Sequence, residues 1–312
     1  MRRRVSTSNP RSPWSRRLAL TRHRAHRLDP TVKGLLWTLA AGLCFVLLNT
    51  LSRYLTAQLP PLESQFLRYL FGFLVMLPLV ARTGLAAWRP RHLGGQFGRG
   101  LVHTVALGLW FTALPHISLG DMTALGFTTP IFIMLGAGLF LREPMRWERW
   151  LAALLGFAGV LVVVGPGLTG SGGYWSLVML ASSPVFAASF LIVKALTRYE
   201  KAGVIVLWQS ITVTLLSLPL ALLHWQAPTP AQWTGYLVCG LLGSGAHYLL
   251  TRAYAVIDIS ATQSLKFLEL VWAMLLGWLV FGDHPSQYTL VGGLLISAST
   301  IWIARRESRR KA

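Results

Sequence analysis

Acidic side chains are what this chain has least of. Ten Asp and Glu stand against 29 Lys and Arg, and only 12% of the 312 residues are charged. Soluble domains carry about 25% charged and about 45–50% apolar residues. Here 54% are hydrophobic and the mean hydropathy is +0.53, which excludes a soluble enzyme held by one anchor. Cysteine is nearly absent as well: Cys44 and Cys239 lie in different apolar blocks. That excludes a disulfide framework or a thiolate metal cluster, and both read as small packing residues. No GxxxxGK[ST] motif occurs, so ATP does not drive the chain directly. GPGLTG (165–170) matches GxGxxG in letters, but it follows an apolar run rather than a strand and carries no dinucleotide.

The formal charge of +19 invites a nucleic-acid reading, and its distribution argues against one. The first 33 residues hold ten Lys/Arg and the last eight, from Arg305, hold five. These are basic flanks around apolar blocks. SRRLAL (15–20) resembles a twin-arginine signal, yet TRHRAHR (21–27) stands where the apolar region should begin. The first apolar run is therefore expected to direct insertion itself.

A bilayer core of about 30 Å takes about 20 helical residues. Ten apolar runs meet that need approximately, at 34–56, 61–81, 99–117, 121–141, 148–165, 173–194, 203–225, 232–254, 258–281 and 286–304. Breaker clusters separate them, as in QLPP (58–61), APTP (227–230) and GDHPS (282–286). With the N-terminus in the cytosol, the inner segments 82–99, 142–149 and 194–201 carry four, three and three Lys/Arg, while the outer loops carry none. The positive-inside rule then predicts ten spans with both termini cytoplasmic.

Sliding the chain by about 140 residues brings one half onto the other. LAAGLCF (39–45) falls on LASSPVF (180–186), Pro78 on Pro219, Arg68 on Gln209, Phe127 on Phe267 and Glu143 on Asp283. Five spans per copy is an odd number, so the copies must be inverted, an arrangement common in secondary transporters with a site at the midplane. The expected organisation is a basic tail at 1–33, five-helix repeats at 34–165 and 173–304, and a basic tail at 305–312. The fold class is all-α integral membrane.

The repeat unit resembles the EamA-type module of the drug/metabolite transporter superfamily. FLRYLFG (66–72), ALGFTTPIFIMLGAGLFLREP (124–144) and GFAGVLVV (156–163) carry the resemblance. The second copy departs from it, with Leu270 in place of the proline and Asp283 in place of the glutamate. The resemblance implies a ten-helix inner-membrane carrier of a small metabolite with a central cavity. It covers nearly the whole chain outside the basic ends.

Lys266 and Glu269 lie deep in the ninth run, roughly 12 Å and 16 Å from the inner face at the helical rise. Intramembrane ionisable groups mark pathways, and at i and i+3 these two are placed to pair. Arg68, roughly 10 Å below the outer face, offers a fork suited to carboxylate or phosphate. Snorkelling, or a pair with Glu63, is its bland alternative. Gln209 offers hydrogen bonds, and Trp110, Trp208 and Trp272 offer apolar or stacking walls. Pro130 breaks its helix, with Thr128 and Thr129 beside it to satisfy the backbone or face a solute. Glu143 and Asp283 are candidate structural or gating ion pairs, Glu143 with Arg142, Arg146 or Arg149. His103, His116 and His247 read as scattered packing residues, so no metal site and no cofactor are expected. Ala152/Gly156 and Gly293/Ser297 suit close helix packing, within the chain or across a homodimer.

These residues predict a secondary transporter of an anionic or zwitterionic metabolite working by alternating access. Amino-acid derivatives and carboxylate-bearing metallophores are candidate solutes, with export favoured by family habit. Uptake of S-adenosylmethionine or riboflavin is the alternative. A polytopic membrane enzyme is more distant, because no nucleophile–base spacing is present. A receptor would bring an output domain.

Overall fold

The structure is a computed structural model that describes residues 29–56, 59–113, 116, 125–165, 173–281 and 287–309. Among these residues it is all helical, as the composition predicts, with no strand. The first family of elements comprises α1 (Pro30–Thr56), α2 (Pro61–Leu74), α3 (Leu77–Thr83), a 3₁₀ turn (Leu85–Trp88), α4 (Leu93–Ala113), α5 (Thr129–Leu141) and α6 (Trp147–Val164). The second comprises α7 (Gly173–Leu196), α8 (Ala202–Leu222), α9 (Pro230–Val256), α10 (Ile259–Lys266), α11 (Leu268–Phe281) and α12 (Gln287–Arg309).

Five stretches are long and apolar enough to cross a bilayer: Pro30–Ser52, Pro61–Thr83, Gly173–Leu196, Ala202–Leu222 and Ile259–Leu276. Thr129–Leu141 is a shorter apolar helix. Large apolar side chains face outward, including Leu139 and Phe140 on α5, Leu241 on α9 and Leu294 on α12. In water such a surface would aggregate; against lipid it is the ordinary exterior.

The helix packing has an exchange pattern. α1 packs along α9 and α4 along α7; α2 packs on α8, and α6 on α12; α5 meets α7, while α10 and α11 meet α1. Exchanging corresponding elements of the two halves turns the first pair into the second and returns the others. The α6–α12 crossing depends on bare glycine. A Cβ at Gly159 would lie 2.9 Å from the Gly292 carbonyl oxygen, and one at Gly292 would lie 2.6 Å from that of Gly159. The small residues of these helices are thus used within the chain: Ala152 is fully buried and Gly156 faces the Phe267 ring.

Several spans are interrupted. α2 gives way to α3 through Val75 and Met76, with Pro78 in the first turn of the new helix. Its repeat partner Pro219 sits inside α8, which continues past it. α5 begins at Thr129 with Pro130 in its first turn, after a turn at Phe127 and Thr128. The Leu125 carbonyl accepts hydrogen bonds from the Thr128 hydroxyl at 2.6 Å and from the Ser183 hydroxyl of α7 at 3.1 Å, so Thr128 serves the backbone, while the carbonyl that Pro130 leaves without its helical donor is that of Gly126. α10 and α11 part at Phe267, where no proline stands. Here side chains compete with the helical ladder. Thr262 and Gln263 both donate to the Ile259 carbonyl, and Thr300 of α12 donates to that of Ser264. The Phe267 ring is fully buried and stacks on Phe127, centroids 5.7 Å apart. The two interruptions therefore touch through repeat-equivalent rings.

Candidate functional site

The polar interior is assembled from several helices that all present one or two side chains inward. His103 of α4 is buried. Its Nε2 is 2.8 Å from the Tyr69 hydroxyl of α2 and its Nδ1 is 3.1 Å from the Ser189 hydroxyl of α7. Its ring meets those of Phe186, Phe190 and His247 edge-on, with centroids 5.5, 6.3 and 5.8 Å away. His247 of α9 in turn meets Phe45 of α1 at 5.2 Å. The Lys266 ammonium closes this ring, 4.4 Å from the Phe190 centroid and 5.8 Å from that of Phe45. Cation–π attraction is strongest in such water-poor surroundings.

Lys266 and Glu269 do not form an ion pair with each other. The helix ends between them, which changes the reason both are tolerated. Lys266 is the last residue of α10, beside its partial negative end, and Glu269 lies in the first turn of α11, beside its partial positive end. Each is stabilised by about 0.3–1 kcal/mol, and up to about 2 kcal/mol where partly buried. Glu269 packs on α1, where a Cβ at Gly42 would come within 3.3 Å of its Cγ.

Two arginines flank the ring. Arg99 of α4 is fully buried and donates to the Ile205 carbonyl at 3.0 Å and to the Gln209 side-chain oxygen at 2.6 Å. It was expected in a cytosolic loop; the helix starts at Leu93 and carries it inside. Gln209 is thus buried as expected, but as the acceptor for an arginine. Arg68 is half-buried, and it makes no ion pair with Glu63, whose carboxylate accepts the Gln226 backbone N–H instead. Arg68 lines a small cavity with Tyr69, Ser210, Gly243, Ser244 and His247. Its guanidinium carbon lies 5.5 Å from the Tyr69 ring centroid.

The tryptophans divide. Trp110 packs with Tyr69, Leu107, Phe111 and Val213 beside the ring. Trp208 donates to the Trp88 carbonyl at 3.0 Å and packs on Phe97, so it is engaged with the 3₁₀ turn. Trp272 is half-buried on α11.

Glu143 has a role other than the expected pair with an arginine. Arg142 adopts the left-handed backbone (φ 55°), and among the described residues no other non-glycine residue has a positive φ. That turn sends Glu143 to the start of α10, where it accepts the N–H groups of Ile259 and Ser260 at 2.8 and 3.1 Å and the Ser260 hydroxyl at 2.6 Å. A carboxylate on the orphan donors of a helix start is a favourable cap. Arg149 instead pairs with Asp258 at 2.9 Å and donates to Ser260. Lys194 of α7 donates to the Tyr254 and Ile257 carbonyls at the end of α9. Asp283 lies outside the described residues.

The histidines are what sequence reasoning missed. The repeat offset held a signal: His103 falls opposite Gly243, one helical turn from His247, on the equivalent helix.

A model of the EamA-like transporter family matches the chain twice, over residues 32–165 and 173–305. The chain belongs to this family. That sets its class as a multi-pass membrane transporter of small molecules within the drug/metabolite transporter superfamily, rather than an enzyme. It is 36% identical over 283 residues to a riboflavin transporter of Rhizobium johnstonii, covering 90% of this chain and 93% of the relative. It is 26% identical over 282 residues to an S-adenosylmethionine uptake transporter of Rickettsia prowazekii, covering 90% and 96%. A pseudopaline exporter of Pseudomonas aeruginosa is 27% identical over 279 residues, covering 89% and 98%.

Proposed function

We propose that this chain carries riboflavin, or a metabolite of the same flat heteroaromatic kind, across the inner membrane by alternating access between two inverted five-helix halves. The observation that carries the reading is the ring of Phe45, His103, Phe186, Phe190 and His247 beneath the Lys266 ammonium. A flat conjugated solute stacks on such faces, and its carbonyl oxygens accept from lysine and histidine donors. The likeness to a riboflavin transporter over nine-tenths of the chain supports the solute class. The exchange of helix pairs between the halves and the distribution of Lys/Arg support inversion, with residues 34–165 and 173–304 as the repeats and both basic tails in the cytoplasm. Glu143 joins the halves at the inner end of this arrangement, by capping α10 from the end of α5.

Direction is left to the gradient in this reading. Relatives are named for uptake and for export, so family habit gives export no preference. A second reading is a zwitterionic sulfonium such as S-adenosylmethionine. Glu269, the acid that packs on α1 at Gly42, favours that reading because a carboxylate attracts a sulfonium.

The test is transport by full-length protein in liposomes. The expected result is saturable accumulation of labelled riboflavin in proteoliposomes and none in empty ones, with unlabelled riboflavin competing. Accumulation of labelled S-adenosylmethionine without riboflavin would favour the second reading. Transport of neither would overturn both.

A further inference from the structure

The helix pair α2 and α8 is clasped at both ends by a carboxylate of one half on the backbone of the other. Where α2 begins, Glu63 is fully buried, and its Oε2 accepts the N–H of Gln226, in the loop that follows α8, at 2.9 Å. The neighbouring rings of Phe66 and Trp225 meet edge-on, centroids 6.2 Å apart. Where α8 begins, Glu200 is buried, and its Oε1 accepts the N–H groups of Arg91 and His92, in the loop that precedes α4, at 2.6 and 2.8 Å. The Tyr199 and His92 rings meet there, centroids 4.5 Å apart. α8 has 21 residues and so spans about 30 Å, which sets the two clasps about one bilayer core apart. At the offset that superposes the repeats, loops 84–92 and 224–232 are counterparts, and Glu200 falls three residues from the position equivalent to Glu63. The halves thus use one device with the roles exchanged.

Glu143 shows what a permanent cap looks like in this protein, with both carboxylate oxygens engaged by three donors. The clasp at Glu63 is thinner. Among the described residues it holds one donor, and its Oε1 is buried with no partner. Polar groups behind both clasps are left in the same state. Gln65 is 2% exposed and Gln96, near the start of α4, is 0% exposed. Gln65 Oε1 and both amide atoms of Gln96 lack a partner among the described residues. Buried polar atoms without partners cost free energy, and water admitted at either end would recover it. Midway between the clasps, the cavity beside Arg68 measures about 10 Å³, room for one water and not for a solute. With both clasps closed, this level of the interior is shut.

We propose that Glu63 and Glu200 are the two latches of alternating access. Each holds its end of the α2–α8 pair shut, and a solute passes that end only when the carboxylate there releases the loop of the opposite half. On the topology proposed above, Glu63 closes the outer end and Glu200 the inner. The inference rests on the alternating-access reading and is independent of which solute is carried.

The test is thiol labelling of the full-length protein in detergent, where a charged methanethiosulfonate reaches both ends. Gln65→Cys reports opening beside Glu63 and Gln96→Cys opening beside Glu200, with the labelled cysteine identified by peptide mass against Cys44 and Cys239. Glu63→Ala should speed labelling of Gln65→Cys about tenfold, the loss of one hydrogen bond to a charged group, and should slow labelling of Gln96→Cys below the rate found with Glu63 in place. Glu200→Ala should do the reverse. Slowing at the far end is the signature of exclusive states sharing one population; local fraying would leave that end unchanged. Glu63→Gln and Glu200→Gln keep an acceptor oxygen without the charge. They should show the same exchange at about threefold, and they carry the test where an alanine form does not fold. Faster labelling at both ends, at the near end alone, or at neither would overturn the latches. The reciprocal pattern in a protein that carries no riboflavin would support them and count against the solute only, while riboflavin transport without that pattern would overturn the latches and leave the solute standing.

Discussion

In the first half, the interrupted helix restarts with Pro130 and carries no charge beside the break; in the second, Leu270 replaces the proline and Lys266 and Glu269 stand on either side of Phe267. The proline break is fixed covalently, since the missing N–H cannot be restored. The neighbouring Leu125 carbonyl is taken up by Thr128 and Ser183. The second break has no such cause. It is held open by Thr300 on the Ser264 carbonyl, by the buried Phe267 ring, and by charges matched to the new helix ends. On the proposed function, one break is scaffold and the other carries chemistry that a solute can meet. Asymmetry between equivalent positions therefore separates function from architecture.

Four substitutions can break or sharpen this contrast. Glu143→Ala strips the cap that the first half places on α10 and leaves Ile259 and Ser260 N–H groups without their acceptor. It should cost about 3 kcal/mol, read as a fall in the unfolding midpoint in detergent, with Glu143→Gln recovering part of it. Lys266→Ala removes the ammonium that would donate to a riboflavin carbonyl, a charged hydrogen bond of about 2 kcal/mol, so riboflavin transport should fall roughly thirtyfold in kcat/KM, while in the midpoint the lost cation–π contact is offset by the relieved burial of a charge. A Lys266→Ala protein that transports normally would return the pair to scaffold. Gly156→Ala places a methyl 2.5 Å from a Phe267 ring carbon. Overpacking of this kind costs about 1–3 kcal/mol, again read in the midpoint. Pro130→Ala should do least, about 0.4–1 kcal/mol through the unfolded chain, with transport kept. If it abolished transport, the first break would be part of the site after all.

Much of the fold was legible because apolar length and Lys/Arg placement act locally and repeat. Helix starts at Pro30, Pro61 and Pro230 follow from proline's place in a first turn, and the break at Pro130 from its missing donor. The break at Phe267 was not legible. It goes with a Phe267 ring packed against Gly156 and Phe127, which are distant in sequence, and with the Thr300 hydroxyl, whose choice of acceptor depends on packing. For the same reason Lys266 and Glu269 read as an i, i+3 pair, because an unbroken helix was assumed between them. Arg99 was misplaced since positive-inside counting treats every arginine near a span end as solvated. Gln209 is buried, but the sequence had no means of saying that it would serve Arg99. His103 and His247 escaped because each looks isolated along the chain, and only the folded halves set their rings 5.8 Å apart.

The central claim is that solute recognition sits at the charged break of the second half and not at its first-half counterpart. Titration of riboflavin into the purified protein, followed by quenching of flavin fluorescence, tests it directly with Lys266→Ala and Gly126→Ala side by side. These positions are repeat equivalents, and an added methyl at Gly126 meets nothing within 4 Å. The account predicts saturable quenching by the wild type, the same affinity for Gly126→Ala, and roughly thirtyfold weaker binding for Lys266→Ala, the loss of one hydrogen bond from a charged donor. No quenching by the wild type, or equal affinity in all three proteins, would contradict it.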